Sequence, residues 1–294
     1  MQLNATKASV AQRGERRTRR IVRRAIVTTA TLFAFGYLLI LVLMMLGEES
    51  LVFFPDRKPI ETWDLPGVER VHFQAADGTR LHGWYFPHRG SRAVVLFACG
   101  NGGNISYRAE RLAHFCRRQN VALFAFDYRG YGLSEGQPNE SGVLLDARAA
   151  RAWLATRAGV AETDVVLLGE SLGGGVMVDL ASRDGASGLI LERTFTSLPD
   201  VGAIHFPFVP VRLLMRSRLD SLSKIAAYHG PLLMCHGDAD EIIPFELGRR
   251  LFEAANEPKR FVTLRGVGHN EPLPEEWDTA VDEFLSGLPG SRQS

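Results

Sequence analysis

The stretch from Asp164 to Leu180 constrains this chain more than any other. Asp164-Val165-Val166-Leu167-Leu168 is a continuous apolar run of the kind a buried parallel strand needs, and Leu172 to Leu180 follows at helical spacing. Between them stands Gly169-Glu170-Ser171-Leu172-Gly173. A strand that meets a helix across a serine flanked by glycines is a turn built to present a nucleophile. The turn lifts Ser171 Oγ clear of the sheet, and Cβ atoms two positions to either side would collide with the backbone. The next backbone N–H, that of Leu172, opens the helix and faces any oxyanion formed at Ser171. Gly132-Leu133-Ser134-Glu135-Gly136 has the same spacing but not the same setting. Arg129-Gly130-Tyr131 precedes it and Gln137-Pro138-Asn139 follows, so Ser134 reads as a loop residue and Ser171 as the nucleophile.

Other segments repeat the alternation. Val68 to Ala75 and Leu81 to Pro87 read as strands around the turn Asp77-Gly78. Buried strands are expected at Ala93–Cys99 and Val121–Asp127, and further strands at Gly188–Glu192, Pro231–Cys235 and Arg260–Leu264. Helices are expected from Gly100–Asn104 to about Arg118, and over Ser141–Gly159, Pro244–Ala255 and Glu275–Leu288. This order predicts a mostly parallel central sheet with helices on both faces. Residues 200–227 break the rhythm with the apolar, Pro-punctuated run Phe206 to Met215, too short for a separate lid domain.

The formal charge of +1 hides an asymmetry. Residues 1–24 carry eight Lys or Arg (Lys7, Arg13, Arg16, Arg17, Arg19, Arg20, Arg23 and Arg24) against Glu15, leaving a net of −6 on the rest. An acidic globular part argues against nucleic acid as a partner. Ala25 to Leu46 is 22 residues without a charge, about 33 Å as a helix and enough to cross a hydrocarbon core. A cleaved signal peptide has a shorter apolar region and a small-x-small site, which Met44–Ser50 does not offer. The segment therefore reads as an uncleaved signal anchor. Basic residues before it and Glu48 and Glu49 behind it orient the N-terminus to the cytoplasm and the following domain to the other side. The expected organisation is a basic tail over 1–24, a transmembrane anchor over 25–46, a linker over 47–66 that opens with an interfacial aromatic segment, Leu51 to Pro55, a catalytic domain over 67–288, and a tail over 289–294. Cys99, Cys116 and Cys235 cannot all pair and read as small buried hydrophobes.

A serine nucleophile needs a base, the base an orienting acid, and the oxyanion donors. After such a turn the acid comes next in the chain and the histidine last. Only His205, His229, His236 and His269 follow Ser171. His269 lies in the glycine loop Gly266-Val267-Gly268-His269-Asn270 after the last strand and is taken as the base. Asp238, Asp240 and Glu241 compete for the acid; Asp240 is the first choice and Asp238 its rival. His236, at a strand end, reads as a structural hydrogen-bonding residue; a metal site from His236 and these acids is the alternative, disfavoured because nothing else has ligand spacing.

The motifs Cys99-Gly100-Asn101-Gly102-Gly103-Asn104, Asp127 to Gly136, Gly169 to Gly173, Glu192 to Ser197 and His236 to Asp240, taken together, resemble the α/β-hydrolase superfamily over roughly residues 50–288. The nearest likeness is to the Bem46-like branch, including the mammalian ABHD13 and ABHD17 type. The resemblance implies an α/β-hydrolase fold, here placed behind the transmembrane helix read above, with a Ser171–Asp240–His269 triad and an oxyanion hole from the backbone N–H groups of Asn101 and Leu172. With the N-terminal anchor, the expected function is a membrane-anchored serine hydrolase that cleaves acyl esters or thioesters of small or lipid-like substrates without a cofactor. Cys99 stands where the family usually has His, which predicts altered loop support rather than lost activity. Phe206, Phe208 and Leu213 are expected either to cap an acyl pocket or to pack as a helical hairpin. Rival readings are a peptidase of the prolyl-oligopeptidase kind and a non-catalytic binding protein; a dehalogenase or epoxide hydrolase would want Asp at position 171.

Overall fold

The computed structural model describes residues 2–58 and 65–289, with side chains at 17 and from 19 onward. The expected linker residues 59–64, the tail residues 290–294 and the side chains of Lys7, Arg13 and Arg16 lie outside the described residues. The chain divides into two units, residues 1–48 and 49–294. The first is the helix α1, Gln2–Leu46, whose stretch Arg19–Leu46 is long and apolar enough to cross a membrane.

The second unit is built on eight strands: β1 Glu69–Gln74, β2 Arg80–Phe86, β3 Ala93–Ala98, β4 Val121–Asp127, β5 Val166–Glu170, β6 Gly188–Glu192, β7 Leu232–Gly237 and β8 Lys259–Leu264. They lie in the order β8-β7-β6-β5-β3-β4-β2-β1. β2 runs antiparallel to both its neighbours, and every other pairing is parallel. The sheet is the mostly parallel one expected from the alternation of strands and helices.

The inner strands are apolar because both faces are covered, while the edge strands β1 and β8 alternate buried and exposed positions. Along β4, Ala122, Phe124 and Phe126 pack into one core while Val121, Leu123 and Ala125 pack into the other. The helices α2 Ala109–Gln119, α3 Glu140–Ala158, α4 Leu172–Asp184, α5 Leu198–His205, α6 Phe245–Ala254 and α7 Glu275–Ser286 supply the covers. α3, α4 and α6 pack on the first face, α2 and α7 on the second. Local chemistry sets their ends: Asn139 caps α3 by accepting from Gly142 N, and Gly159 closes it at φ +68°. Cys99, Cys116 and Cys235 are buried free thiols.

Two segments depart from the expectations. The sequence predicts an interfacial aromatic stretch over Leu51 to Pro55, yet Val52 and Phe53 are buried in the core. Phe54–Pro55 then forms a short parallel pair with Gly102–Gly103. Because that glycine pair lies in a strand, regular helix after β3 begins only at Ala109, behind a single 3-10 turn over Ile105–Arg108. The Pro-punctuated run Phe206 to Met215 follows α5 and forms the short helix Val211–Leu214, with Phe208 87% and Leu213 85% exposed.

Candidate active site

Ser171 sits between β5 and α4 at φ +53°, ψ −116°, a backbone conformation that costs a side-chain-bearing residue about 1–3 kcal/mol. Its neighbours hold it there. Ser171 N donates to Glu192 O at 2.8 Å, and its carbonyl accepts from Gly174 N at 2.9 Å and from Thr194 Oγ1 at 2.8 Å. A Cβ at Gly169 would lie 2.5 Å from the Gly173 carbonyl oxygen, and one at Gly173 would meet the Ala98 carbonyl. Both glycines are thus demanded by close approach of backbone, as the spacing predicts.

His269, on the loop after β8, places Nε2 3.1 Å from Ser171 Oγ and Nδ1 2.7 Å from Asp240 Oδ2. Asp240 Oδ1 accepts from the backbone N–H groups of Ile242 and Ile243 at 2.9 and 2.8 Å. His236 Nε2 donates to Ile243 O at 2.8 Å and lies 3.3 Å from Asp240 Oδ2. Burial pushes the Asp240 carboxyl up, but the hydrogen bonds from His236 and His269 outweigh it and hold the group well below the usual carboxylate range. The rival Asp238 turns away, accepting from Gly266 N at 2.6 Å at the base of the histidine loop. His236 is fully buried and fixes the acid's loop.

Ser171 and His269 open into a cleft of about 490 Å³ that Phe54, Asp56, Gly100–Gly103, Tyr107, Arg108, Glu170, Ile242 and Asn270 also line. Among the described residues, neither Asn101 N–H nor Leu172 N–H donates to a protein acceptor. Leu172 N–H is one of the unpaired donors at the start of α4. Phe206, Phe208 and Leu213 do not line this cleft. Their segment reaches its rim through His205 Nε2, which meets Ile242 O at 2.8 Å.

Ser134 is buried and structural: its hydroxyl donates to Asp127 O at 2.7 Å and accepts from His82 N at 2.9 Å. Tyr128 OH donates to Cys99 O at 3.0 Å, and burial pushes the Cys99 thiol up to about 12, so position 99 carries no nucleophile.

Sequence reasoning missed an ionic layer below the serine. Glu170 pairs with Arg108 at 3.1 Å and Arg111 at 2.7 Å, and Arg111 also binds Glu192, which accepts from Trp277 Nε1 at 2.8 Å. Burial raises the Glu170 carboxyl, but the two guanidinium groups outweigh it and bring it down to about 2.

Comparison with known proteins agrees with this architecture. The family model described as serine aminopeptidase S33 (Hydrolase_4) matches residues 89–217. An uncharacterised protein of Mycobacterium tuberculosis is 43% identical over 229 residues, covering 76% of this chain and 81% of the relative. The α/β-hydrolase domain-containing protein WAV2 of Arabidopsis thaliana is 32% identical, covering 74% of this chain and 79% of its own. The chain belongs to the α/β-hydrolase superfamily. An uncharacterised membrane protein of Saccharomyces cerevisiae is 32% identical to this α/β-hydrolase, over 78% of this chain and 84% of its own. In fold it is similar to the Pyrococcus furiosus esterase Pf2001, with a TM-score of 0.66 at 20% identity, covering 81% of this chain and 98% of the esterase. It is likewise similar to an acetyl xylan esterase from Paenibacillus sp. R4, with a TM-score of 0.64 at 21% identity, covering 78% and 87% of the two chains.

Proposed function

We propose that this α/β-hydrolase is a membrane-anchored serine hydrolase that cleaves acyl esters or thioesters. The observation that carries the reading is the unbroken relay from Asp240 Oδ2 through His269 to Ser171 Oγ, 2.7 and 3.1 Å, ending in an open cleft. Asp240 accepts from Nδ1–H and leaves Nε2 bare to take the serine proton. Ser171 Oγ then attacks the substrate carbonyl, and the N–H groups of Asn101 and Leu172 receive the oxyanion, at about 3–4 kcal/mol per donor. The His269 imidazolium protonates the leaving alcohol or thiol, and water releases the acyl group by the same relay in reverse. Asp240 stabilises the imidazolium and, with its carboxyl held low, stays charged throughout.

The apolar helix Arg19–Leu46 supports single-pass anchoring, and the yeast relative is described as a membrane protein. The charge placement around it supports a cytoplasmic N-terminus with the hydrolase domain on the other side. A reporter fused at the C-terminus and recovered on the cytoplasmic side would overturn that orientation.

The deciding experiment is fluorophosphonate labelling of the wild type and Ser171→Ala. Labelling of the wild type alone supports the reading; equal labelling, or none, sinks it. A peptidase is the second reading, favoured by the description of the matching family model. Turnover of an ester and an amide of the same acyl group separates the two, since an esterase cleaves only the former at an appreciable rate.

A further inference from the structure

The loop that carries the proposed donor Asn101 cannot set its own shape. Gly100, Gly102 and Gly103 surround Asn101, Gly103 stands at φ +77°, and glycine adopts either sign of φ at little cost. A peptide group here would turn over freely unless something outside the loop held it. Three outside groups do. Asn101 Nδ2 donates to Val52 O at 3.0 Å, Phe54 N donates to Asn101 O at 3.0 Å, and Tyr131 OH donates to the same carbonyl at 2.8 Å. Tyr128 OH fixes the Cys99 carbonyl on the other side. The Gly100–Asn101 peptide, whose N–H is the proposed donor, thus lies between two pinned peptides. The strap itself is firmly seated: Phe53 is 1% exposed, Asp56 N donates to Gly103 O at 3.3 Å, and Asn104 Nδ2 donates to the carbonyls of Asp56 and Lys58 at 3.1 Å each.

We infer that the strap Val52–Asp56 is a positioning element of the active site, and that the Asn101 side-chain amide is a tie, beside the Phe54 N–H, through which it holds the oxyanion donor in place. The inference rests on the hydrolase reading above. Asn101 then has two separate roles: its backbone N–H meets the substrate, while its carboxamide reaches away to Val52 and touches no reacting atom. The site is complete only while the strap is docked. A hydrolase domain counted from residue 67 would keep Ser171, Asp240 and His269 and lose the group that orders the oxyanion loop.

The test uses the full-length protein with p-nitrophenyl butyrate as substrate and n-butylboronic acid as a mimic of the tetrahedral adduct. Asn101→Ala keeps the backbone donor and removes the tie to Val52. Tyr131→Phe removes one hydroxyl from a ring that stays buried, and so guards against a folding failure in the first variant. Both are expected to lower kcat by about tenfold or more, toward the 10²–10³ typical of a lost oxyanion donor, with KM within about twofold of wild type. Boronate affinity is expected to fall by the same factor as kcat, with fluorophosphonate still attaching at Ser171. Asn101→Asp, isosteric but unable to donate, is expected to behave as Asn101→Ala. If kcat and boronate affinity stay within twofold of wild type in Asn101→Ala and Tyr131→Phe, or if only KM and the melting temperature move, the strap has no positioning role. A wild type without Ser171-dependent turnover would instead sink the hydrolase reading itself.

Discussion

The Arg193 guanidinium donates to the Glu271 carbonyl at 2.8 Å and to the Gly268 carbonyl at 3.3 Å, so a residue just past β6 holds both ends of the turn that carries His269. Arg193 is 5% exposed and itself stands at φ +50°, fixed by its N–H to Cys235 O at 2.9 Å. Arg193→Met, which keeps the bulk and removes the donors, is expected to reduce kcat/KM by about 10–100-fold, because a base misplaced by about 1 Å loses that much. The rate of fluorophosphonate labelling at Ser171 checks it; an unchanged rate would mean that the loop holds itself.

The two serines of matching motif separate cleanly by substitution. Ser171→Ala is expected to remove esterase turnover by about 10⁴-fold or more while leaving the melting temperature near wild type. Ser134→Ala is expected to do the reverse, retaining labelling and losing about 1–3 kcal/mol in urea unfolding, since His82 N and Asp127 O lose their shared partner.

Stability should also report on the ionic layer. The Glu170 carboxyl is lowered to about 2 from an ordinary 4.5, so its ion pairs stabilise the fold fully above about pH 4.5 and are lost as pH falls toward 2. The gap in unfolding free energy between wild type and Glu170→Gln is therefore expected to be widest near neutral pH and to narrow across that window. A gap constant from pH 7 to pH 2 would assign the effect of the substitution to packing alone.

At the turn itself there is no room for a methyl group. Gly173→Ala would drive a Cβ into the carbonyl oxygens of Ala98 and Cys99, both backbone atoms of the neighbouring strand end. Overpacking of this kind costs about 1–3 kcal/mol or more. The expected result is a lower urea midpoint, with a matching loss of soluble full-length protein on mild heating.

What could be read in the chain follows from how local each signal is. Ser171 is legible because strand, turn and helix are contiguous, and His269 because few histidines follow it. The acid was harder, since Asp238, Asp240 and Glu241 lie within four residues and only the folded loop turns one of them to the imidazole. Glu170, Arg111 and Glu192 left no trace, because 59 and 81 residues separate the two partners from Arg111. The core positions of Val52 and Phe53 are hidden for a different reason: apolar residues behind a long apolar helix look like its continuation, and nothing local says that they turn into a core. The apolar run with Phe206, Phe208 and Leu213 is ambiguous in the opposite way, since its composition suits either a pocket cap or a packed helical hairpin, and the fold leaves all three exposed.

The sheet has two open margins, β1 on one side and β8 on the other. Among the described residues no further strand pairs with either edge, and an exposed edge is the usual seed of uncontrolled association. Yet β1 sets Arg70 and His72 outward and β8 sets Arg260 and Thr263 outward. An incoming strand would have to strip water from these charged or polar side chains before its backbone came within bonding range. The same eight strands that hold the serine in place are thereby discouraged from recruiting a ninth.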